Sequence, residues 1–570
     1  MSIGTPQAAE SPSAARASLP VRDSGGDRRG LARSLSESVI SLLLAVLLFR
    51  TFGAEGYMIS TGSMAPTLLG YHKRVACPTC GIEFPFGVAY DTDPTGEAEL
   101  LERKRSRAVC PNCGQEGIQL DRVPRNHGDQ LLVCKPSYEY RLPQRWEICV
   151  FRNPAKPQEA YVKRVAGLPG ERVQILQGDV FINGQIARKD YARQVAMRIP
   201  VHDHNARPQR DPLTRERWFV TTSDSPGRAA PQWLPDDAGF RLQTGLAAGQ
   251  DAETFSWVQY RHWVRARGRH ISRVPLAAWP DDVEFQVTDA LGGLKFDAAR
   301  GQLECEGALP EEVRDRLLAH TDDAAFRLAL RTLYDNSHEA PVTDQYGYNP
   351  AEENANPLPV RDVMVSLRVA VEYGHGEFSL ELTDGVQTFS FVLDFQRREF
   401  RLYRNGSQEP TQTAPFPAGL TDRSLIVEGS LIDRQALLAV NGAVVLQPFE
   451  FESPPGLGEP PRSAARFGAR GLDIFVDDIK VFRDVYYTAD RAQQGVAAPY
   501  PLGPDSYFML GDNSPVSHDS RRWTDGAVPA SLLIGRPFLV HLPSRPGHLR
   551  IGPWETQLRL PDFSRMRLIR

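Results

Sequence analysis

Apolar residues form one unbroken run near the N-terminus of this chain. The run covers residues 39–49, and the predicted helix extends over residues 34–52 if the charged groups of Glu37 and Arg50 lie at its two ends. A full membrane span takes roughly 20 residues. The run is shorter, but Arg50 can extend its charged group towards water, and Ser34 with Glu37 fits a capping box at the helix start. We therefore expect a membrane helix over residues 34–52.

A different pattern, the alternation of apolar with polar or small residues, marks the region 361–486. Every second residue from Val363 to Tyr373 is apolar or aromatic, as a half-buried strand requires. Asp-Gly and Asn-Gly pairs separate further predicted strands, which include residues 389–395, 436–440 and 472–482. The pattern resembles a jelly-roll β-sandwich of the concanavalin A or laminin-G type. Fold does not fix function, so binding a sugar, spacing and docking a partner all remain open for this region.

The sequence between these two regions predicts less. A hairpin with an Asn-Gly turn is expected over residues 178–185. Residues 191–360 give no recognisable fold apart from a helix over residues 310–333, and the loop histidines His202 and His204 are expected at the surface. The 45 prolines and 46 glycines suit a loop-rich, mainly β protein. A net charge of -4 without a basic stripe gives no indication of nucleic-acid binding.

Two short segments carry the residues of greatest chemical interest. Ser63 opens the segment Ser-Met-Ala-Pro-Thr-Leu, and Lys163 opens the segment Lys-Arg-Val-Ala-Gly-Leu-Pro-Gly. A serine hydroxyl is a weak nucleophile until a base takes its proton, and a neutral lysine amine can be that base. Free lysine titrates near 10.4, so only about one molecule in a thousand is neutral at pH 7. Apolar burial lowers this pKa, and the neighbours of Lys163 in sequence are apolar: Val162, Val165, Ala166 and Leu168.

Five segments, in this order, resemble bacterial type I signal peptidase: the apolar run, then residues 63–68, 128–133, 163–170 and 511–521. The resemblance implies that Ser63 is the acylated nucleophile and that Lys163 is the general base. It also implies that Ser517 hydrogen-bonds the lysine amine. The implied oxyanion hole consists of the Ser63 backbone N–H and the Thr61 hydroxyl, where the family usually has serine. A threonine still supplies a hydroxyl, although its β-branch restricts the rotamers that reach the oxyanion.

The same resemblance implies two supporting ion pairs, Arg164 with Asp512 and Asp519 with Arg521. The expected activity is that of a serine endopeptidase that removes signal peptides from exported preproteins near the Sec translocon. Small residues are expected at the first and third positions before the cleaved bond. The substrate would bind as an extended strand. No cofactor is expected for catalysis.

Two alternatives to this function come from other classes. One is a membrane-anchored binding protein with a degenerate peptidase scaffold and a ligand-binding sandwich. The other is a self-cleaving Ser/Lys repressor, which needs a DNA-binding module where this chain has its apolar run. The preprotein set, any ligand of the sandwich and the oligomeric state do not follow from the sequence.

The flanks of the apolar run predict the location of the protein. Five arginines precede the run, and the positive flank stays cytoplasmic. A cleaved secretory signal is the rival interpretation, since its apolar core has about this length. The 33 preceding residues are long for such a signal, so we expect an uncleaved single-pass anchor in membrane lipid. The N-terminus is expected in the cytoplasm, and the catalytic domain on the periplasmic or extracytoplasmic side of the inner (plasma) membrane.

Four of the seven cysteines share a pattern. Cys77 and Cys80 form one C-x-x-C-G motif, and Cys110 and Cys113 form another. Two such motifs suit a structural zinc ribbon with four thiolate ligands. The spacer between them is longer than usual, and two disulfides between the motifs are the alternative in an oxidising compartment.

These signals predict a mainly β protein with a signal-peptidase-type catalytic domain, an N-terminal membrane helix, a zinc ribbon and an inserted sandwich. The chain leaves the catalytic sheet after the predicted hairpin and returns near residues 499–507, so we expect the insert to be separable from catalysis. The expected segments are a disordered tail (1–33), the helix (34–52), an N-terminal catalytic segment (53–190) with the ribbon (75–116), an unassigned insert (191–360), the sandwich (361–486) and a C-terminal catalytic segment (499–570).

Overall fold

The computed structural model describes residues 24–48, 53–88, 107–207, 216–221, 232–244, 254–264, 271–283, 293–350, 357–421, 424–452, 460–490, 492–541, 543–551 and 554–569. Strands dominate the structure, which confirms the predicted mainly β class. The chain divides into two compact units, Met1–Glu55 and Gly56–Arg570. A short strand, Ala54–Met58, runs across the boundary between them.

The described part of the first unit contains one helix, Ser24–Leu48. It begins ten residues before the predicted start at Ser34, because the preceding Arg, Leu and Ala residues favour a helix and Arg33 pairs with Glu37 one turn later, at 2.8 Å. Among the helices in the described part of the chain, none has both the length and the apolar character that crossing a membrane requires. Residues 1–23 of the predicted tail and residues 49–52 of the predicted helix lie outside the described residues.

An antiparallel sheet in the second unit carries Lys163, one of the candidate catalytic residues. Its central strand Ile148–Arg152 buries four successive residues, because both faces of the strand are covered. Six strands of this sheet follow one another in space: Gln130–Cys134, Leu533–Val540, Ile148–Arg152, Ala160–Gly167, Ser506–Leu510 and Ala527–Pro529. A further strand, Arg567–Leu568, pairs with Leu533–Val540. Residues far apart in the chain thus become neighbours.

A second, four-stranded sheet contains the predicted hairpin. Its strands are Gln185–Ile186, Asp179–Ile182, Arg172–Leu176 and Tyr500–Pro501. Asn183 and Gly184 have φ angles of 51° and 85°, which a two-residue type I′ turn requires. The predicted Asn-Gly hairpin is confirmed.

The largest sheet has 14 strands around a single apolar core. Two long strands, Val363–Thr383 and Ala465–Arg483, pair along most of their length. The strands that the alternation predicted are present, and they are observed as Thr388–Asp394, Gln435–Val440 and part of Ala465–Arg483. The other strands that continue this sheet are Glu399–Arg404, Gln412–Pro415, Leu425–Ile432, Ala443–Val444 and Phe449–Glu450.

The first half of the region 191–360 joins this same sheet. After a helix at Tyr191–Met197, its strands add to the sheet: Ile199–Asp203, Trp218–Val220, Trp233–Pro235, Gly239–Leu242 and Ser256–Tyr260. His202 and His204 are therefore buried, and the expectation that they lie at the surface is wrong. His202 lies in strand Ile199–Asp203, and His204 directly follows it. This strand packs over the core because it pairs with Ala465–Arg483.

The second half of that region forms a small α/β module. Three strands, Ile271–Pro275, Gln302–Glu306 and Leu294–Asp297, pack with two helices. The predicted helix 310–333 is observed as Glu311–His320 and Ala324–His338. The break arises because the Asp323 carboxylate accepts a hydrogen bond from Phe326 N at 2.6 Å, and a residue that caps a helix in this way lies outside it.

The smaller elements complete the second unit. The cysteine motifs flank short strands: His72–Ala76, Glu83–Gly87, Arg125–Asn126, Arg107–Ala108 and Ile118–Gln119. A hairpin, Ser544–Ile551 with Trp554–Pro561, precedes the last strand. The short helical segments are Ser137–Tyr140, Ala530–Leu532 and Phe563–Arg565.

Candidate active site

Ser63 lies in a tight turn that leads away from strand Ala54–Met58. The turn forms because Ala65 N donates to Gly62 O at 3.0 Å and Leu68 N donates to Met64 O at 2.8 Å. Met64 and Leu68 are buried, so they fix the turn to the core, while the Ser63 side chain faces the opposite way and remains partly exposed. The sequence Ser-Met-Ala-Pro-Thr-Leu therefore presents one hydroxyl on a buried support.

Lys163 reaches this hydroxyl from the strand Ala160–Gly167. Its Nζ lies 2.6 Å from Ser63 Oγ, and it also donates to Val162 O at 3.2 Å. Only 4% of Lys163 is exposed. Burial lowers the pKa of this amine to about 8, although the carboxylates of Asp519 and Asp512 oppose the change. At this pKa roughly one molecule in ten carries a neutral lysine at pH 7.

Thr61 and Ser517, which the resemblance implied for the oxyanion hole and for orienting the lysine amine, differ in how they contact Ser63 and Lys163. Thr61 Oγ1 donates to Ser63 Oγ at a long 3.5 Å and is exposed to the cleft. Ser517 is fully buried, and its Oγ has no hydrogen-bond partner among the described residues. The implied hydrogen bond from Ser517 to the Lys163 amine is therefore not formed in this structure, although Ser517 follows the Gly511–Asn513 segment that contacts the Ser63 turn.

Two buried ion pairs hold the segments around Lys163, as the resemblance implied. Arg164 forms two hydrogen bonds to Asp512, at 2.8 and 2.6 Å. Arg521 forms two to Asp519, at 2.9 and 2.8 Å. All four side chains are at most 1% exposed. Each carboxylate therefore has its charge engaged by a guanidinium rather than by the Lys163 amine.

The two pairs also shape the backbone of the site. Asp519 accepts a hydrogen bond from Gly511 N at 3.0 Å, and Arg521 donates to Ser514 Oγ at 2.7 Å. Although burial raises the pKa of Asp519, the pairing with Arg521 outweighs it and holds the pKa below its ordinary value. The segment that contains Ser517 is thus fixed from within.

A cleft of about 430 Å³ opens over Ser63 and Lys163. Its walls come from the Ser63 turn, from the strand that carries Lys163, and from a segment of the insert, and the lining residues are Met58–Met64, Val88, Ala160–Lys163, Tyr348–Pro350, Val516 and His518. Most of these side chains are apolar, while the two reactive groups lie together. The cleft has the form of a groove that an extended peptide can enter.

Sequence reasoning missed the three residues of the insert in this cleft. The segment Tyr346-Gly-Tyr-Asn-Pro350 gave one signal, a run of aromatic, glycine, amide and proline residues inside a region otherwise rich in charge. Asn513 lay within a recognised motif but had no predicted role. It donates from its backbone N to Ser63 O and from its side chain to Gly62 O, both at 3.0 Å.

The four predicted ligand cysteines lie together in a separate, buried cluster. Cys77 Sγ and Cys113 Sγ are 3.6 Å apart, and Cys80 Sγ and Cys110 Sγ are 3.7 Å apart. All four are free thiols and lie close enough to hold one metal ion. A disulfide has an S–S distance of about 2.05 Å, so the predicted alternative of two disulfides is not the arrangement seen.

Comparison with known proteins supports the resemblance. The model of the family described as "Signal peptidase, peptidase S26" matches residues 124–238 and 432–542. The chain is 45% identical over 71 residues to signal peptidase I of Leptolyngbya laminosa, covering 11% of this chain and 34% of that protein. It is 41% identical over 69 residues to probable signal peptidase I-2 of Synechocystis sp., covering 11% and 31%. The chain thus spans about a third of the length of these relatives.

Solved structures give a weaker likeness. A carbohydrate-binding module of Bacillus subtilis shares 8% identity at a TM-score of 0.18, covering 21% of this chain and 74% of the module. A galectin of Caenorhabditis elegans shares 12% identity at a TM-score of 0.17, covering 21% and 81%. Scores this low carry no argument about the large sheet.

The matched segments contain Lys163, Arg164, Asp512, Ser517 and the pair Asp519–Arg521, whereas Ser63 precedes them and is brought to Lys163 by the fold. The resemblance to type I signal peptidase that the five motifs predicted is therefore confirmed over the matched segments, which are similar to the family described as "Signal peptidase, peptidase S26".

Proposed function

We propose that this protein is a membrane-bound type I signal peptidase, a serine endopeptidase that removes signal peptides from exported preproteins. One observation carries the proposal: Lys163 Nζ lies 2.6 Å from Ser63 Oγ, and burial lowers the pKa of the amine to about 8. A base must lie within about 3.2 Å of the proton that it takes, and its pKa should be near the working pH.

In the proposed first step, neutral Lys163 takes the proton of Ser63 Oγ while the oxygen attacks the carbonyl carbon of the cleaved bond. The resulting oxyanion accepts hydrogen bonds from the Ser63 N–H and the Thr61 hydroxyl. One such donor is worth about 3 to 4 kcal/mol in the transition state. The lysine then gives its proton to the leaving amine, and the acyl group stays on Ser63.

In the second step a water molecule releases the acyl group. Lys163, neutral again, takes a proton from the water, whose oxygen attacks the ester carbonyl. Collapse of the intermediate returns the proton to Ser63 Oγ and frees the carboxylic acid. Ser517 would orient the lysine amine through a hydrogen bond that forms once substrate is bound, since catalytic hydrogen bonds are often incomplete without it.

The substrate would lie as an extended strand beside residues 58–60 and 160–163, which both line the cleft. Main-chain hydrogen bonds supply affinity, and pockets for alternate side chains supply specificity. We propose that small residues occupy the first and third positions before the cleaved bond.

Membrane anchoring is proposed for the first unit. Its helix exposes large apolar side chains along its described turns, namely Leu35, Val39, Ile40, Leu42, Leu43, Leu44 and Val46. Exposed apolar surface of this extent is typical of a segment that contacts lipid or another protein. The arginines that precede the apolar run would keep the N-terminus in the cytoplasm. The catalytic domain would then meet preproteins as they leave the Sec translocon.

A structural zinc ion is proposed for the cysteine cluster. Zinc binds thiolates at about 2.3 Å in a tetrahedron, so its sulfur atoms lie about 3.8 Å apart. This spacing is close to the 3.6 and 3.7 Å seen here. Cys77, Cys80, Cys110 and Cys113 would hold the ion. Bound there, zinc would stabilise the fold and leave no open position for catalysis.

The proposal is tested with purified full-length protein in detergent and a synthetic peptide whose signal ends in Ala-x-Ala. Mass spectrometry should show cleavage directly after the second alanine. The Ser63→Ala protein is the matched control and should leave the peptide intact. Cleavage by both proteins, or by neither, would refute the proposed activity.

A further inference from the structure

The insert between the two catalytic segments contributes residues to the active site. They belong to Tyr346–Pro350, called here the insert loop. Its last three residues line the cleft over Ser63 and Lys163. The insert was expected to be separable from catalysis, so these contacts need a physical account.

One side of the insert loop holds the Ser63 turn through an amide pair. Asn349 Nδ2 donates to Asn513 Oδ1 at 2.8 Å, and Asn513 Nδ2 donates back to Asn349 Oδ1 at 2.7 Å. Asn513 Nδ2 also donates to Gly62 O at 3.0 Å. Asn349 therefore fixes the orientation of the amide that holds the residue directly before the nucleophile.

The ring of Tyr348 covers the other face of this turn. A Cβ atom added to Gly62 or to Gly87 would overlap the ring, so both glycines allow its close approach. The Tyr348 hydroxyl donates to Tyr71 O at 2.9 Å, and Tyr348 O accepts from Gly87 N at 2.8 Å. The ring is thus fixed at both ends against the peptide that precedes Ser63.

The insert loop itself is rigidly supported. Arg483, which is 1% exposed, donates to the carbonyls of Asp344 and Gln345, both at 3.0 Å, and its guanidinium stacks over the Tyr346 ring at 4.5 Å. The Tyr346 hydroxyl donates to Asp512 O at 2.6 Å. These contacts tie the loop both to the large sheet and to the catalytic segment.

We infer that the insert loop is a positioning and specificity element of the peptidase site. Asn349 acts through Asn513 to set the Gly62–Ser63 peptide, whose N–H faces the developing oxyanion, and Tyr348 limits the width of the cleft beside the nucleophile. The inference rests on the proposed function. A shift of about 1 Å in a catalytic group costs on the order of a hundredfold in rate, so a loop that fixes the nucleophile turn is part of the catalytic unit.

The first test compares Asn349→Ala with Asn205→Ala in the full chain. Asn205 also belongs to the insert, but it is exposed and its amide bonds Asp478, another insert residue, at 2.8 Å. We expect Asn349→Ala to lower kcat about 10- to 100-fold with little change in KM, and Asn205→Ala to behave as wild type. The double variant Asn349→Ala/Asn513→Ala should be no slower than Asn513→Ala alone, because the two amides act as one unit.

The second test concerns Tyr348. Tyr348→Ala opens the cleft, and we expect it to improve cleavage, relative to the Ala-x-Ala peptide, of peptides with larger residues at the first or third position before the cut. Tyr403→Ala is the matched control. It removes an aromatic side chain from the large sheet, whose hydroxyl accepts a hydrogen bond from Arg401.

Two outcomes separate this inference from the proposed function. In the first outcome, wild-type protein cleaves the peptide, and Asn349→Ala and Asn205→Ala have the same kcat. If thermal melting shows that both variants are folded, this result overturns the inference and leaves the proposed function intact. If wild-type protein cleaves no signal peptide, the proposed function fails, and the rate at which a fluorophosphonate probe labels Ser63 still tests the loop. Equal labelling of wild type and Asn349→Ala would then overturn the inference.

Discussion

Two buried lysines in this protein have opposite properties, and their surroundings explain why. Lys163 is 4% exposed and Lys189 is 2% exposed. Burial lowers the pKa of Lys163 to about 8. For Lys189 the carboxylates of Asp433 and Asp484, each 2.7 Å from Nζ, outweigh the effect of burial and raise the pKa above its ordinary value.

The difference lies in what engages the nearby carboxylates. Around Lys163 the acidic groups are Asp512 and Asp519, and each has an arginine partner that takes up its hydrogen bonds. Around Lys189 the carboxylates have the lysine as a direct partner. Burial alone therefore makes a lysine a base only where neighbouring acids are neutralised by other cations. Arg521 thus helps to keep the pKa of Lys163 low, as the proposed role of this lysine as a base requires.

The largest effect on cleavage is expected from changes to Ser63 and Lys163. Ser63→Ala removes the proposed nucleophile and Lys163→Met removes the proposed base, so we expect each to lower kcat/KM at least about 10³-fold. The double variant should be little slower than either single variant, because the two residues act together. Peptide cleavage by mass spectrometry measures this. Lys189→Met is the matched control, since it replaces a buried lysine outside the cleft. Substantial cleavage by Lys163→Met would mean that another group is the base.

The pH dependence of wild-type cleavage tests the lowered pKa. If neutral Lys163 is required, kcat/KM should rise with pH to a midpoint near 8, the value that burial gives this lysine. The neutral fraction grows from roughly 1% at pH 6 to roughly 90% at pH 9, which predicts an increase of about 90-fold. A rate independent of pH between 6 and 7 would contradict the assignment of the base.

Removing an arginine partner should shift this midpoint. Arg521→Met leaves the Asp519 carboxylate without its cation, so the negative charge acts on Lys163 and raises its pKa. Each unit of increase lowers the rate at neutral pH about tenfold. In the double variant Arg521→Met/Asp519→Asn both charges are gone, and the midpoint should return towards 8. An unchanged midpoint in folded Arg521→Met would show that the pair acts only on structure.

The sequence predicted the burial of Lys163 but not the ion pairs of Lys189. Lys163 was recognised from its motif, and apolar neighbours such as Val165 and Ala166 indicated its burial. Lys189 meets Asp433 and Asp484, which lie 244 and 295 positions later in the chain, so no local pattern indicates the contact. Strand alternation predicted the elements of the large sheet because the period of two is local.

Contacts across the insert could not be predicted for the same reason. Tyr348 reaches Tyr71 across 277 positions, and Asn349 reaches Asn513 across 164. The division of the insert into segments 191–360 and 361–486, and its independence from catalysis, stay predictions. The insert loop argues against such independence, since a linker in place of residues 195–498 would remove Asn349 and Tyr348 from the cleft.

The zinc site proposed for the cysteine cluster would be a third way to keep charge buried, with a metal ion in place of arginine or lysine. Chelation should release one zinc ion per chain, measured by elemental analysis, and lower the melting temperature. We expect the cleavage rate to fall only a few-fold, because the ion would have no open position. The fall is not zero, since Pro111 of the second motif contacts Gly347 of the insert loop. Protein without zinc and with two disulfides would refute the site.

The contrast between the two lysines can also be measured as stability, by replacing each lysine with methionine and comparing the free energies of unfolding. Lys163 has a pKa of about 8 in the folded state and near 10.4 when unfolded. Its protonated form therefore destabilises the fold by about 3 kcal/mol below pH 8, and this penalty disappears as the pH rises from 8 to 10.4. Lys163→Met should raise the unfolding free energy at pH 7 by up to this amount.

Lys189→Met should act in the opposite direction. It leaves the buried carboxylates of Asp433 and Asp484 without their cation, and removal of one partner of a buried ion pair costs about 3 to 5 kcal/mol. The loss should be smaller in acid, because burial raises the pKa of Asp433 and this carboxylate can then take up a proton in the folded state. Urea unfolding at pH 5 and pH 7 measures both variants. The distinction between the two lysines would fail if Lys163→Met lost as much stability as Lys189→Met. Such a result would show that both lysines have the same charge state in the folded protein.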